Sequence, residues 1–170
     1  MVEITYQMVL STLQTLSLGV GVIYYIMTLQ NTRKNQQLTL ETRQAQLFSF
    51  LMGRMDDVEW WTHYGTIRDA KDRTYDEWDE ILQDPVNDGG ISAILAFLNH
   101  VGWLVKRDLI DMEMVKENFL EVVVTVHERV MPFLLEYERR SGRPQTYTHL
   151  KYLYEHVKDS YYQYAQDIKT

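Results

Sequence analysis

The sequence ITYQMVLSTLQTLSLGVGVIYYIMTLQNT, residues 4–32, runs for 29 positions without an Asp, Glu, Lys or Arg. At a rise of about 1.5 Å per residue, about 20 apolar residues are enough for a helix to cross the hydrocarbon layer of a bilayer. A helix of a soluble protein would keep a charged stripe toward water, and this stretch has none. The pattern therefore predicts that residues 1–32 form a transmembrane anchor.

A cleavable secretory signal peptide is the main alternative to an anchor. Such a signal begins with a positively charged region and ends with a small-x-small cleavage site. Only Glu3 is charged ahead of the apolar stretch, and no such site follows it. We therefore expect the segment to remain attached as an uncleaved anchor.

Two basic residues, Arg33 and Lys34, follow the apolar stretch directly, whereas only Glu3 precedes it. Basic flanks tend to stay on the cytoplasmic side of a membrane. We expect a single-pass protein of the plasma (inner) membrane, with its N-terminus outside and its C-terminal domain in the cytoplasm. Arg33 and Lys34 would also contact anionic lipid headgroups, with a gain of about 1 kcal/mol per base.

Polar and small residues within the span recur at spacings of three, four and seven, which places them along one side of a helix. They are Gln7, Ser11, Gln14, Ser17 and Gly21. Such a stripe is poorly matched to lipid, and its small residues allow two helices to approach closely. The stripe predicts homo-oligomerisation through the span. Two alternatives stay open: the short polar side chains bond to carbonyls of their own helix, or the stripe lines the pore of a small oligomeric channel.

The segment after the span, residues 33–54, has no Gly or Pro before Gly53 and consists mostly of good helix formers. It predicts a helical stalk that continues the anchor helix and breaks at Gly53. Leu40, Leu47 and Leu51 lie seven and four residues apart and form a thin apolar seam. The seam would pack either against the stalk of a partner copy or against the first layer of the following domain.

Residues 55–170 predict a cytoplasmic helical bundle, because three stretches repeat apolar residues at helical spacing. The three predicted core faces are Ile91, Ile94, Leu95, Leu98, Val101 and Val105; Val115, Phe119, Val122, Val123, Val126 and Val130; and Leu150, Leu153, Tyr154, Val157, Tyr161, Tyr164 and Ile168. The chain is thus predicted to be all-α, with an N-terminal transmembrane helix that continues into a stalk and is followed by the bundle.

Capping and breaking residues predict where the helices of the bundle begin and end. Thr74 and Glu77 have the spacing of a capping box, and DPVNDGG, residues 84–90, reads as a loop. Pro132 is expected to kink or restart the helix in which it lies. The last helix is expected to begin near Thr146.

Composition limits the chemistry that the chain can perform. The absence of cysteine excludes disulfides, thiolate metal sites and cysteine nucleophiles. Residues 55–170 hold 22 Asp or Glu against 13 Lys or Arg, and an acidic domain repels the phosphate backbone of nucleic acids. We expect no nucleic-acid partner; the expected partners are the lipid bilayer, further copies of the chain and an unidentified protein.

No motif predicts a catalytic or metal site. Phosphate-loop, dinucleotide-binding and GxSxG patterns are absent from the sequence. Glu59 and His63 lie one turn apart, but a solvent-facing ion pair or hydrogen bond is the more common outcome of that spacing. His149 and His156 could share a helix face, yet no third ligand is evident. We predict no cofactor, no metal and no catalytic residue, and a protein that is not an enzyme.

Five aromatic residues fall close together: Trp60, Trp61, Tyr64, Tyr75 and Trp78. Packing in the core is the more common role for such residues, and docking of a partner is the alternative. Under that alternative, Trp60, Trp61 and Trp78 form a partner surface.

Two stretches, TLQNTRKNQQLTLETRQAQLF (28–48) and AFLNHVGWLVKRDLIDMEMVKENF (96–119), resemble an uncharacterised family of small prokaryotic membrane proteins, a domain of unknown function. Members of that family share an N-terminal span, a polar helical stalk and a cytosolic helical domain. They also share a turn like the one from Gly102 to Arg107. The resemblance implies the same architecture here and implies no activity.

The combination of an anchor with a domain that lacks catalytic motifs predicts a membrane-anchored, non-enzymatic interaction or regulatory protein. A small oligomeric channel and a membrane-tethered enzyme are the alternatives.

Overall fold

The computed structural model describes residues 6–144 and 147–168, and within these ranges it contains six α-helices and no β-strand. The helices are α1 Tyr6–Met55, α2 Val58–Arg68, α3 Tyr75–Leu82, α4 Pro85–Lys106, α5 Met112–Ser141 and α6 Thr148–Asp167. The predicted all-α class is confirmed. Residues 1–5 of the predicted anchor and the predicted helix start at Thr146 lie outside the described residues.

The chain divides into two compact units, Met1–Ala45 and Gln46–Thr170. The described part of the first unit belongs to α1, and residues 6–43 are all exposed. The most apolar 18-residue window of α1 has a mean hydropathy of 1.5 and none of it is buried, so α1 is long and apolar enough to cross a membrane. α4 also meets this criterion, but 44% of its window is buried.

α1 runs without a break through the predicted stalk, so the expected continuity of that helix is confirmed. The expected break at Gly53 is wrong, because α1 continues to Met55. Leu51 and Met55 are each 4% exposed and belong to the core of the second unit, and Leu47 packs against them half-buried. The end of the apolar seam therefore packs into the domain's own first layer, whereas Leu40 is 60% exposed.

Side-chain caps fix the starts of α2 and α3. The carboxylate of Asp57 accepts a hydrogen bond from the amide of Glu59 at 3.0 Å. The predicted capping box is confirmed: the Glu77 amide donates to Thr74 Oγ1 at 3.4 Å, and the Thr74 amide donates to the Glu77 carboxylate at 2.7 Å. Each bond satisfies an amide that lacks an intrahelical acceptor.

α4 begins at Pro85, so the prediction of a loop over residues 84–90 is wrong. Asp84 caps the helix by accepting from the Val86 amide at 3.0 Å. Proline is well suited to the first turn of a helix, where its missing N–H has no intrahelical partner to lose. The two glycines at the end of this segment lie inside α4.

α5 contains Pro132 and is continuous from Met112 to Ser141, so the helix does not restart there. Gly142 ends the helix with a left-handed φ of 67°, which glycine adopts without steric cost, and its amide donates to the Glu138 carbonyl at 2.9 Å.

α6 is held by α4 at its start. The side-chain oxygen of Asn99 in α4 accepts hydrogen bonds from the amides of His149 and Leu150 at 3.0 and 3.2 Å, so a residue of another helix supplies the cap. A Cβ at Gly102 would lie 2.2 Å from the His149 carbonyl oxygen, so α4 and α6 approach closely only because Gly102 has no side chain.

The predicted core faces of α4 and α5 are confirmed, since all their residues are buried. In α6, Leu150, Leu153 and Val157 are buried as predicted. The final turns of the predicted α6 face do not reach the core, because Tyr164 and Ile168 are 60% and 65% exposed.

Candidate binding groove

A cavity of about 880 Å³ lies in the second unit between the end of α1, the first half of α2 and the part of α4 from Pro85 to His100. We name it the aromatic groove. It is lined by Phe50, Leu51, Gly53, Arg54, Asp57, Glu59, Trp60, His63, Pro85, Val86, Gly89, Gly90, Ala93, Ala96, Phe97 and His100. Its volume is in the range of about 300–1,000 Å³ in which small-molecule and anchor-residue sites are found.

Trp60 is the central aromatic residue of the groove. Its ring stacks on Tyr64 at 5.7 Å between centroids and meets Trp61 and Phe97 edge to face at 5.0 and 6.3 Å. These contacts fix the indole of Trp60 half-buried in the wall. Phe50, by contrast, is 69% exposed at the mouth of the groove and is free to contact a ligand.

The groove depends on a close contact between α2 and α4. His63 of α2 is 8% exposed, and its ring lies directly over Gly90 of α4. A Cβ at Gly90 would come within 2.2–2.4 Å of three atoms of that ring. Gly89, one residue earlier, faces open space, so only one of the two glycines is required by packing.

Polar groups in the groove wall have unused hydrogen-bonding capacity. Trp60 Nε1 and His63 Nδ1 are shielded from water and have no hydrogen-bond partner among the described residues. The two residues are three positions apart on α2 and so share a helix face. Arg54, Glu59 and His100 add charged or titratable groups to the same wall. The groove therefore combines an apolar surface with the charged and titratable groups of Arg54, Glu59 and His100, which a ligand could contact.

The structure separates the three tryptophans of the predicted partner surface. Trp60 lines the groove, and Trp61 lies beside it with 47% of its surface exposed. Trp78 is 2% exposed and packs 6.1 Å from the ring of Phe133, so its assignment to a surface is wrong. Its place in the apolar core agrees with the more common role of such residues.

His63 and Gly90 are the residues of the groove that sequence reasoning missed. The expectation that His63 faces solvent beside Glu59 is wrong, because the ring is buried against α4. The glycine pair at 89 and 90 was the available signal, since a glycine inside a helix commonly marks a close contact. Within 6–144 and 147–168, no three His, Cys, Asp or Glu side chains are placed to hold a metal ion.

In the first unit, the predicted stripe and headgroup residues are all exposed on α1. They are Gln7, Ser11, Gln14, Ser17, Gly21, Arg33 and Lys34. The hydroxyl groups of Thr12 and Thr15, which flank the stripe, donate to the carbonyls of Met8 and Ser11 at 2.8 and 2.9 Å. Threonines of the predicted span thus bond back to carbonyls of their own helix, which is one of the alternatives expected for short polar side chains.

A family model described as "Domain of unknown function (DUF4760)" matches residues 15–157. Neither a curated protein nor a solved structure matches the chain.

Proposed function

Because the chain belongs to the DUF4760 family, whose description assigns no activity, we propose its function from its own residues: it is a membrane-anchored, non-enzymatic interaction or regulatory protein. α1 holds it in the inner membrane as a single-pass protein, and the second unit binds a protein partner in the cytoplasm through the aromatic groove.

The exposure of the apolar part of α1 carries this proposal. Leu16, Leu18, Val20 and Ile23 are between 60% and 70% exposed, although the core of the second unit buries comparable residues almost completely. Burying one such side chain is worth about 1.5–3 kcal/mol, so a run of them left in water would be strongly unfavourable. Lipid around residues 6–32 removes that cost.

The basic flank supports the orientation. Arg33 and Lys34 are exposed and make no ion pair with any of the described residues, so both are available to anionic headgroups on the cytoplasmic side.

Membrane attachment is tested by extracting membranes that hold the full chain with alkaline carbonate. The wild-type chain should remain in the pellet, and L18R/I23R should shift to the supernatant because two charges in the span are costly. L38R is the matched control, since Leu38 lies in the same helix beyond the predicted span. Recovery of the wild-type chain in the soluble fraction, or a C-terminal reporter that is active only outside the cell, would refute the proposal.

Self-association through the span is part of the proposal. The side chains of Gln7, Ser11, Gln14 and Ser17 make no hydrogen bond with another described residue, and polar groups in lipid gain most from a partner helix. Introduced cysteines are unique in this cysteine-free chain, so disulfide crosslinking in membranes reports contacts directly. The stripe variants are Q7C, Q14C and G21C, and the matched controls are V9C, L16C and I23C. Equal crosslinking of both sets would exclude the stripe as an interface.

The same unpartnered stripe supports a channel as the second candidate function. Its polar side chains would face a pore of several copies rather than a dry contact. Ion flux into liposomes that contain the purified chain tests this, and conductance at the level of empty liposomes removes the channel from consideration.

The groove is tested by replacing exposed apolar residues at its mouth. F50D and V86D should abolish recovery of a specific partner from detergent-solubilised native membranes, because a charge would replace the apolar contact. L135D changes an equally exposed residue on α5, outside the groove, and should leave recovery unchanged. If F50D and V86D recover the same set of proteins as L135D does, the groove is not the partner-binding site. Reproducible turnover of a substrate by the purified chain would refute the non-enzymatic role.

A further inference from the structure

We propose that a second cavity, between α3 and α5, binds a phosphate group through Arg73 and Arg129. This cavity, here named the arginine cleft, has a volume of about 400 Å³ and is separate from the aromatic groove. Both arginines line it, one from the turn before α3 and one from the middle of α5. The proposal does not depend on the membrane anchor or on the groove.

The charge of Arg73 acts on the nearby Glu77 carboxylate, but among the described residues neither arginine has a counterion within ion-pair distance. Both side chains are half-buried, yet neither makes an ion pair or a side-chain hydrogen bond with any residue that the structure describes. Arg73 Nη1 and Arg129 Nε are shielded from water without an acceptor. A guanidinium group cannot lose its proton in a protein, so the desolvation cost of its burial is offset only when it donates hydrogen bonds to an acceptor. Buried arginines are rare unless they are paired.

The nearby carboxylates are engaged elsewhere. Glu136 accepts hydrogen bonds from Arg139 at 2.6 and 2.7 Å and from Arg140 at 2.7 Å, and these bonds hold its pKa at about 2. Glu128 accepts from the hydroxyl groups of two tyrosines of α6. Both carboxylates line the cleft, but their hydrogen bonds are made to other partners.

Two further acids lie close to Arg73. The Glu77 carboxylate is held in the capping box of α3, and Asp72 lies exposed at the edge of the cleft. No carboxylate of a described residue lies within ion-pair distance of either arginine, so an acceptor can come from solvent or from a ligand.

A phosphate group fits these donors better than a carboxylate. Its oxygens point in several directions, which suits donors that come from two separate elements. The rings of Tyr75 and Phe133, stacked at 5.0 Å, form an apolar wall of the cleft and leave room for the organic part of a small phosphate monoester. Arg140 lies 3.9 Å over the Tyr75 ring, and its charge is paired with Glu136 and Asp76.

The test uses the full chain in nanodiscs of zwitterionic lipid and inorganic phosphate as the probe. Phosphate replaces chloride at constant ionic strength, and the thermal midpoint of unfolding is recorded. We expect a saturable rise for the wild-type chain and at least a tenfold weaker apparent affinity for R73Q and R129Q. R143Q is the matched control, because Arg143 is exposed and lies outside the cleft. An absent or unsaturable response, or variants that bind as the wild type does, would overturn the proposal.

Two additions keep the test decisive. R73K and R129K preserve the charge and so guard against loss of folding; each should bind phosphate more weakly than the wild type, because lysine lacks the guanidinium fork. Nanodiscs that contain phosphatidic acid identify the source of the phosphate. If phosphatidic acid raises the midpoint of the wild-type chain but not that of R129Q, the bound phosphate belongs to a lipid headgroup. If only soluble phosphate raises the midpoint, the ligand is a free phosphate compound.

Discussion

Replacement of Gly90 by alanine should loosen the contact between α2 and α4. The added Cβ would lie 2.2 Å from Cδ2, 2.3 Å from Cγ and 2.4 Å from Nε2 of His63. Real Cβ contacts essentially never fall below 3.0 Å, so the ring must move. The clash includes Cγ, the ring atom nearest the backbone, so the whole ring must move and not only its far end.

The expected magnitude follows from two opposing effects. Overpacking in a filled interior costs about 1–3 kcal/mol, and alanine gains up to about 1 kcal/mol over glycine inside a helix. G90A should therefore be less stable than the wild type by up to about 2 kcal/mol. G89A is the matched control: its Cβ meets nothing within 4 Å, so it should gain up to about 1 kcal/mol. The two variants should differ by about 1–3 kcal/mol.

Thermal unfolding of the full chain in detergent, followed by far-ultraviolet circular dichroism, measures this difference. For a unit of this size, 1 kcal/mol corresponds to roughly 3–6 °C in the midpoint. The double variant H63A/G90A removes the ring that clashes, so the cost of G90A should shrink in that background. Equal midpoints for G89A and G90A, or full additivity in the double variant, would refute the reasoning.

Three further predictions test other parts of the second unit. G102A should cost about 1–3 kcal/mol in a thermal melt, because a Cβ would lie 2.2 Å from the backbone carbonyl oxygen of His149, which is held in a helix. N99A should cost about 0.5–2 kcal/mol and should raise hydrogen exchange at the first amides of α6, because two of them lose their acceptor. Burial lowers the pKa of His127 below its usual 6.5. The contribution of His127 to the free energy of unfolding should therefore be fully present above about pH 6.5 and should be lost as the pH falls from there through the folded-state pKa. An NMR titration measures that pKa, and thermal melts of H127Q should lose this pH dependence.

Contrary outcomes for these three are equally specific. A G102A chain as stable as the wild type would show that the two helices can separate at no cost. Unchanged exchange in N99A would mean that other groups cap α6. A pKa of His127 at or above 6.5 would contradict the effect of burial.

Local patterns predicted the regular parts of the fold. The helical spacing of Ile91 to Val105 and of Val115 to Val130 gave the core faces of α4 and α5, because one periodic face of a helix is enough to identify burial. The capping box at Thr74 could be predicted because its two partners, Thr74 and Glu77, lie within one helical turn of each other. The prediction of a loop over residues 84–90 is wrong because Asp84 and Pro85 form a helix-start signal, and the two glycines that follow are tolerated within the helix.

The candidate sites depend on contacts between distant parts of the chain, which local patterns do not encode. His63 and Gly90 are separated by 27 positions and meet only when α2 lies against α4. Arg73 and Arg129 reach the same cleft from separate elements. Nothing in the local sequence of α5 distinguishes Arg129 from an exposed surface residue. Only the folded structure shows that Arg129 is half-buried and makes no ion pair with a described residue.

The burial of Leu51 and Met55 has a practical consequence for proteolysis. A protease that cut after residue 45 would release residues 46–170 with every core side chain present. A cut after residue 54, the boundary predicted from the sequence, would remove Leu51 and the half-buried side chains beside it and leave Met55 as a frayed end. A fragment that keeps the whole core of the second unit must therefore begin at or before Leu47.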